Sequence, residues 1–346
     1  MADVTVMGAG VFGLSVAFAC ARRGARVAVI ERTGIAAGCS GGVVGMLAPH
    51  APEKWNALKA FQLDSLLAAR DLWTTAAELS GIDPGHARVG RLQPIRDARG
   101  LELARARAAA ARELWPDHVT WEVIEAPAGA WTPASPTGLL IRDTLSARVN
   151  PRAACQALAG AIRASGGTIT AGDTPPDGAR PVVWATGVAG LRDLSAATDR
   201  AAGNGVKGQA ALLGLNAAGQ PQIAADGVLI VPHADGTVAV GSTSERDYTA
   251  PDTTDQQLDA LLLRAGQVLP VLAAAPVIER WAGLRPRAKS RAPMLGPWPG
   301  RPGHYIANGG FKIGFGMAPV AGEVMADLLL DGIDRIPESF HPEASL

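Results

Sequence analysis

The sequence predicts an α/β fold accompanied by a second, mainly antiparallel region. Three observations carry that reading. A strand, a glycine turn, a helix and a second strand follow one another over residues 3–31. Residues 86–145 change character: short β-like runs surround one Ala/Arg-rich helix near 100–114, and Trp and Pro recur (Trp121, Trp131, Pro127, Pro133, Pro136). Residues 206–245 then alternate as hairpin strands do.

Each element has a local reason. Asp3 to Met7 is a short β-rich run, and Leu14 to Arg23 holds good helix formers up to Gly24, a natural residue just past a helix end. Arg26 to Glu31 is the second strand, so the three elements form one βαβ unit, right-handed by default. Residues 34–49 are rich in small side chains, which lets backbone approach a ligand closely. Residues 53–79 read as an amphipathic helix, with Trp55, Leu58, Phe61, Leu66 and Leu72 near helical spacing. Residues 151–166 are helical, Thr168 to Thr170 is a strand, and Pro181 to Thr186 is a buried strand ending at a Gly187 turn. Gly227 to Pro232 and Thr237 to Gly241 are strands joined by Asp235-Gly236, a strong hairpin signal. Residues 254–265 and 318–331 complete the helices.

Composition excludes several classes. With 346 residues the chain makes one large domain or two modest ones, and it buries a core without staples. Hydrophobic residues are 48% and charged residues 18%, a globular balance. Lys+Arg and Asp+Glu are both 32, and no basic run is visible, so no nucleic-acid partner is expected. Cys20, Cys39 and Cys155 are too few and too dispersed for a disulfide framework or a Cys-rich zinc site. The histidines lack metal spacing, so no metal is expected. No segment reaches the roughly 18 apolar residues of a membrane-spanning helix. The N-terminus enters the first strand at once, and cleavage of a signal peptide would destroy the motif that follows, so the expected location is cytoplasmic.

That motif is Gly8-Ala9-Gly10-Val11-Phe12-Gly13, a G-x-G-x-x-G between strand and helix. Gly8 allows the tight turn, Gly10 admits a pyrophosphate, and Gly13 lets helix and strand pack closely. The helix N-terminus offers free N–H groups and partial positive charge to the diphosphate. Glu31 ends the second strand, 18 residues after Gly13. A carboxylate there accepts ribose hydroxyls and repels a 2′-phosphate. The pattern is Rossmann-like, and by itself it does not decide between FAD and NAD.

Four further motifs follow in order: Gly38-Cys39-Ser40-Gly41-Gly42 with Gly45-Met46-Leu47-Ala48-Pro49, then Ala185-Thr186-Gly187, then Gly283-Leu284-Arg285-Pro286, then Gly309-Gly310-Phe311-Lys312-Ile313-Gly314. With them the chain resembles, over nearly its whole length, the D-amino-acid oxidase superfamily of FAD enzymes, glycine oxidase most of all. The resemblance implies FAD as cofactor. It implies a Rossmann-like FAD-binding domain made of 1–80, 140–205 and 285–346, with an inserted antiparallel-sheet (α+β) substrate domain of 81–139 and 206–284. The adenine would lie near Glu31 and Arg32, with Thr174 against it. The isoalloxazine would lie against the Gly41–Leu47 backbone and the Gly310–Gly314 loop. Lys312 would stand near the flavin's pyrimidine edge, where a cation stabilises developing negative charge. Cys39 is either a small packing residue or a flavin tether, and Met46 packs against the ring or belongs to the core.

The resemblance also gives Arg285 the substrate carboxylate. A planar guanidinium matches a carboxylate bidentately, and a charge-assisted hydrogen bond contributes about 1.5–3 kcal/mol. Arg287, Lys289 and Arg291 are alternative anion ligands. His50, after Ala48-Pro49, is a donor, a base or a structural residue. The chain departs from the family at Leu229–Pro232, where relatives often place a tyrosine; only Tyr248 and Tyr305 exist. His233 stands where an arginine is often found. Both changes weaken glycine as the expected substrate. The implied activity is oxidation of the C–N bond of a small amino acid or secondary amine by hydride transfer to flavin, with Arg285, His50 and Lys312 as the catalytic candidates. The resulting imine hydrolyses. The acceptor is oxygen or, alternatively, a quinone or carrier protein. A pyridine-nucleotide oxidoreductase would need a second fingerprint, which is not found. A flavin-binding protein without catalysis and a tRNA-modifying flavoenzyme are the remaining rivals, the latter disfavoured by charge neutrality. A homo-oligomer is compatible with the sequence.

Overall fold

The computed structural model describes residues 2–179 and 181–346. Its strands are, in chain order, β1 (Val4–Met7), β2 (Val27–Glu31), β3 (Met46–Leu47), β4 (Arg91–Pro94), β5 (Trp121–Glu125), β6 (Leu139–Asp143), β7 (Ala147–Arg148), β8 (Thr168–Ala171), β9 (Val182–Trp184), β10 (Gly203–Leu213), β11 (Gln222–Ala225), β12 (Val228–Pro232), β13 (Val238–Gly241), β14 (Val277–Ala288), β15 (Met294–Pro297) and β16 (His304–Asn308). The helices are α1 (Val11–Arg22), α2 (Ala57–Ser80), α3 (Ala98–Leu114), α4 (Pro151–Ala164), α5 (Gly187–Thr198), α6 (Gln256–Val268) and α7 (Gly314–Ala326).

A six-stranded sheet runs β15-β16-β9-β1-β2-β8, parallel throughout except for the antiparallel edge pair β15–β16. Every residue of β1 is buried, as expected of a parallel strand covered on both faces. Helix α1 packs against α4 and α7. The α1–α7 approach is close: a Cβ on Gly322 would stand 2.7 Å from the Ser15 carbonyl oxygen.

An eight-stranded sheet runs β14-β10-β13-β12-β11-β4-β6-β5, antiparallel except for β11–β4. Helix α6 contributes Leu258, Leu261, Ala265 and Val268 to the apolar cluster that includes Val238, Val240 and Ile230 of this sheet. β10 and β14 pair over their length, with Val206 opposite Arg285, Gly208 opposite Gly283 and Ala210 opposite Trp281. β6 through Asp143 and β14 through Ala288 both belong to this sheet, so a division that follows the sheets falls a few residues later than 140 and 285. Among the described residues no helix is long and apolar enough to cross a membrane.

Element ends differ from the sequence expectation for local reasons. The helix expected from residue 53 starts at Ala57, because the Asn56 side chain accepts the Lys59 N–H and caps it there. The helix expected over 318–331 starts at Gly314 and continues past Ala326 into a π-helical turn, Asp327–Asp331. The Asp235-Gly236 turn joins β12 to β13, with Gly236 at φ 82°.

Candidate active site

A cleft of about 640 Å³ opens along the carboxyl ends of β1, β2 and β9. This is where open α/β sheets bind ligands. Ile30, Glu31, Arg32, Gly172 and Asp173 line its β2–β8 side. Gly8, Gly10, Val11, Phe12, Ala185, Thr186 and Gly187 line the middle. The loop after β2 adds Cys39, Ser40, Gly42, Val43, Val44, Gly45 and Met46. Leu229 and Trp281–Pro286 come from the eight-stranded sheet, and Gly309, Gly310, Phe311, Lys312 and Gly314 close the remaining side.

The glycine turn follows from crowding. Gly8 sits at φ 106°, and a Cβ there would stand 2.6 Å from the Ala185 carbonyl oxygen. A Cβ at Gly13 would overlap the Gly8 carbonyl oxygen. Gly10 differs: among the described residues beyond its chain neighbours, a Cβ there would meet only Ser40, whose Oγ is 3.2 Å away. Gly10 is also the N-cap of α1 and carries no side chain to cap it. The turn thus leaves room for a diphosphate at a helix N-terminus. Ser40 Oγ accepts the Val11 N–H at 3.0 Å. Glu31 Oε2 accepts the Ala9 N–H at 2.7 Å, and Oε1 accepts the Thr33 N–H and hydroxyl at 2.8 and 2.9 Å. Burial opposes the Glu31 charge, but the N–H groups of Ala9, Thr33 and Gly34 and the Thr33 hydroxyl hold its pKa below the usual carboxylate value.

Arg285 is buried, at 9% exposure, yet it lines the cleft. Its Nη1 donates to the Thr243 carbonyl at 3.1 Å. Its guanidinium lies over Gly208, where a Cβ would overlap it. Among the described residues no carboxylate oxygen comes within ion-pair distance of it. Burial pushes its pKa down, but an arginine remains protonated at any physiological pH. The site therefore holds a fixed cation with donors to spare. Lys312 is pushed down by burial and by Arg285 and Arg287. Its Nζ sits 5.5 Å from the Phe311 ring centroid, and Arg287 sits 5.5 Å from the same ring. Phe311 N–H donates to the Pro286 carbonyl at 3.0 Å, which ties this loop to β14.

The other expected cations lie elsewhere. Lys289 and Arg291 are exposed, and Lys289 Nζ reaches the Leu346 carbonyl at 3.4 Å. His50 does not line the cleft. Its Nδ1 faces Gln62 Oε1 at 2.5 Å and its N–H donates to the same oxygen at 2.8 Å. Thr174 is exposed and outside the lining, and Gly172 and Asp173 take its place beside the β2 end. Ala9 and Gly13 support the turn from beneath. The Gly41 carbonyl accepts Arg152 Nε at 2.8 Å, Leu47 is buried in β3, and Ile313 is the N-cap of α7. Cys39 lines the cleft, and burial pushes its thiol up, so it is neutral.

Sequence reasoning missed Trp281 and Leu229 as lining residues. Trp281 carried a usable signal: strand alternation puts it on the same face as Gly283 and Arg285. Val43 and Val44 fall within the expected Gly41–Leu47 segment, but no local pattern reveals that His233 Nε2–H donates to the Val43 carbonyl at 2.9 Å from another strand's end.

The family model for FAD-dependent oxidoreductases of the DAO type matches residues 3–328. Glycine oxidase of Geobacillus kaustophilus is 26% identical over 94% of this chain and 92% of its own. A putative thiamine biosynthesis oxidoreductase, ThiO, of Rhizobium etli is 31% identical over 95% of this chain and 97% of its own. The crystal structure of the Geobacillus glycine oxidase shares the fold, with a TM-score of 0.83 at 23% identity and 98% coverage of each chain.

Proposed function

The chain belongs to the DAO family of FAD-dependent oxidoreductases, and from that premise we propose that it oxidises the C–N bond of a small amino acid or secondary amine. The observation that carries this is Arg285, a buried cation in the cleft with no carboxylate partner among the described residues. Such a group matches a substrate carboxylate. When bound, FAD supplies the two-electron acceptor for the amine Cα–H, and water hydrolyses the imine product to a carbonyl compound and an amine.

The chain's own part is binding and positioning. Gly8, Gly10 and the start of α1 would take the diphosphate, Glu31 with Arg32 the adenosine end, and the Gly42–Met46 and Gly309–Lys312 segments the ring. Lys312 would supply positive charge at the pyrimidine edge. Arg285 would orient the substrate, an effect worth far more in rate than in affinity when the reacting atoms are aligned.

The test is direct. The yellow holoprotein is mixed anaerobically with glycine, sarcosine, D-amino acids and proline analogues. Bleaching of the flavin by at least one of them is expected, and bleaching by none would remove the proposal. Peroxide formed on admitting air then identifies oxygen as acceptor; its absence points to a quinone or carrier protein.

A further inference from the structure

We propose that the substrate end of the cleft selects an amino acid whose substituent is apolar, held against Trp281 while Arg285 holds the carboxylate. This rests on the functional reading above and goes further by naming the substituent.

Trp281, Gly283 and Arg285 share one face of β14. Gly283 pairs with Gly208 of β10. A Cβ on Gly283 would stand 2.6 Å from Trp281 Cζ2, and a Cβ on Gly208 would overlap the Arg285 guanidinium. The indole and the guanidinium therefore lie down over one glycine pair from opposite ends. The row that starts at Trp281 continues through Ala210 and Gly241 to Leu229. Val44 lies over Gly241, where a Cβ would overlap its Cγ2. Trp281, Val44 and Leu229 all line the cleft, and none of them is ionisable.

Charge is distributed unevenly about Arg285. Arg287, Phe311 and Lys312 lie in the other direction along β14, joined by the Arg287–Gly310 bridge. Exposed acids also line the cleft, Asp252 together with Asp173 and Asp193, and their charge disfavours a second carboxylate. A carboxylate held by Arg285 thus has an apolar wall on one side and cations on the other. Glycine would leave the wall in contact with water. A hydrocarbon or aromatic substituent would displace that water, and non-polar burial is favourable in proportion to area.

The holoprotein is titrated with acetate, phenylacetate and malonate, and the dissociation constants are read from the perturbed flavin spectrum. Phenylacetate is expected to bind at least about tenfold more tightly than acetate, and malonate no better than acetate. Trp281→Ala brings the phenylacetate-to-acetate ratio close to one, and Trp281→Phe keeps most of it. Leu229→Ala lowers the ratio as well and serves if the tryptophan variants do not fold. Equal binding of acetate and phenylacetate, preference for malonate, or a ratio untouched in all three variants overturns the inference. Failure of the functional reading looks different: no amine bleaches the flavin at all.

Discussion

Glu31 and Ala9 are joined between the ends of β2 and β1 by a charge-assisted hydrogen bond of 2.7 Å, from the Ala9 N–H to Oε2. The carboxylate that ends β2 therefore shapes the glycine turn that ends β1, in addition to whatever it offers a ribose. Glu31→Gln keeps an acceptor but loses the charge, and a hydrogen bond to a charged group contributes about 1.5–3 kcal/mol. FAD affinity is expected to fall about tenfold or more. Flavin released on dilution, measured by fluorescence, checks this; unchanged retention would show that the Ala9 bond does not set the turn.

Gly10→Val acts on the same end by volume. Among the described residues beyond its chain neighbours, a Cβ there meets Ser40 alone within 4 Å, so the apoprotein is expected to fold. The valine would stand in the space left for the diphosphate. A folded but colourless preparation, judged by circular dichroism and absorbance, is the expected outcome. A yellow Gly10→Val protein would mean that the flavin takes another path.

Gly208→Ala is a sharper probe of substrate binding than removal of Arg285. Its new methyl would overlap the guanidinium, the far end of a flexible side chain that can move aside. KM for an amino acid is expected to rise toward that of Arg285→Ala, by about tenfold or more, from the loss of one charge-assisted contact. FAD content and thermal midpoint should change little. If KM stays at the wild-type value while Arg285→Ala raises it, the guanidinium binds substrate from a different position.

The sequence was legible where a function needs a local pattern. The Gly8, Gly10 and Gly13 spacing placed β1, α1 and β2, and the segment of small residues from Gly38 to Gly45 contributes to the cleft lining. Long-range pairing was not legible. β4 joins β11 in parallel and β6 in antiparallel fashion, and nothing in Arg91–Pro94 names either partner. Trp281 was legible in principle through strand alternation, but its meaning depends on Gly208, more than seventy positions earlier. His50 illustrates the opposite error. A histidine after a Pro invites a catalytic reading, whereas Gln62, one turn into α2, occupies its Nδ1.

Behind Arg285 lies a buried charge cluster that should govern both stability and binding. Lys207 Nζ stands 3.5 Å from Glu245 Oε2 and 3.3 Å from Asp255 Oδ2, and Gln209 Nε2 donates to Glu245 Oε1 at 3.0 Å. The Thr243 hydroxyl also donates to Glu245, and the Thr243 carbonyl is the one that receives Arg285. Lys207→Met strands the Glu245 carboxylate in the interior, and breaking a buried pair costs about 3–5 kcal/mol. Urea unfolding should show that loss, with much of it recovered when Glu245→Met is added. A loss below about 1 kcal/mol would mean that Gln209 and Thr243 suffice for Glu245.

Acid sensitivity should trace to His86. Burial, aided by the neighbouring charges of Arg88 and Arg70, pulls its pKa down from 6.5 to about 4, and its Nε2 has no hydrogen-bond partner among the described residues. In the unfolded chain the same ring titrates near 6.5. Above that pH both states bind no proton and stability is unaffected. As pH falls from 6.5 toward 4, the unfolded state takes up a proton that the folded state refuses, so stability declines by on the order of 3 kcal/mol. Below 4 both states are protonated and this contribution levels off. His50 and His233 are also pushed down by burial, so they add to the decline in the same direction. His86→Gln removes one titration and leaves the others, so its unfolding free energy should fall less steeply between pH 7.5 and 4.5 than that of the parent. Parallel slopes for the two proteins would show that His86 is hydrated and protonated in the folded state.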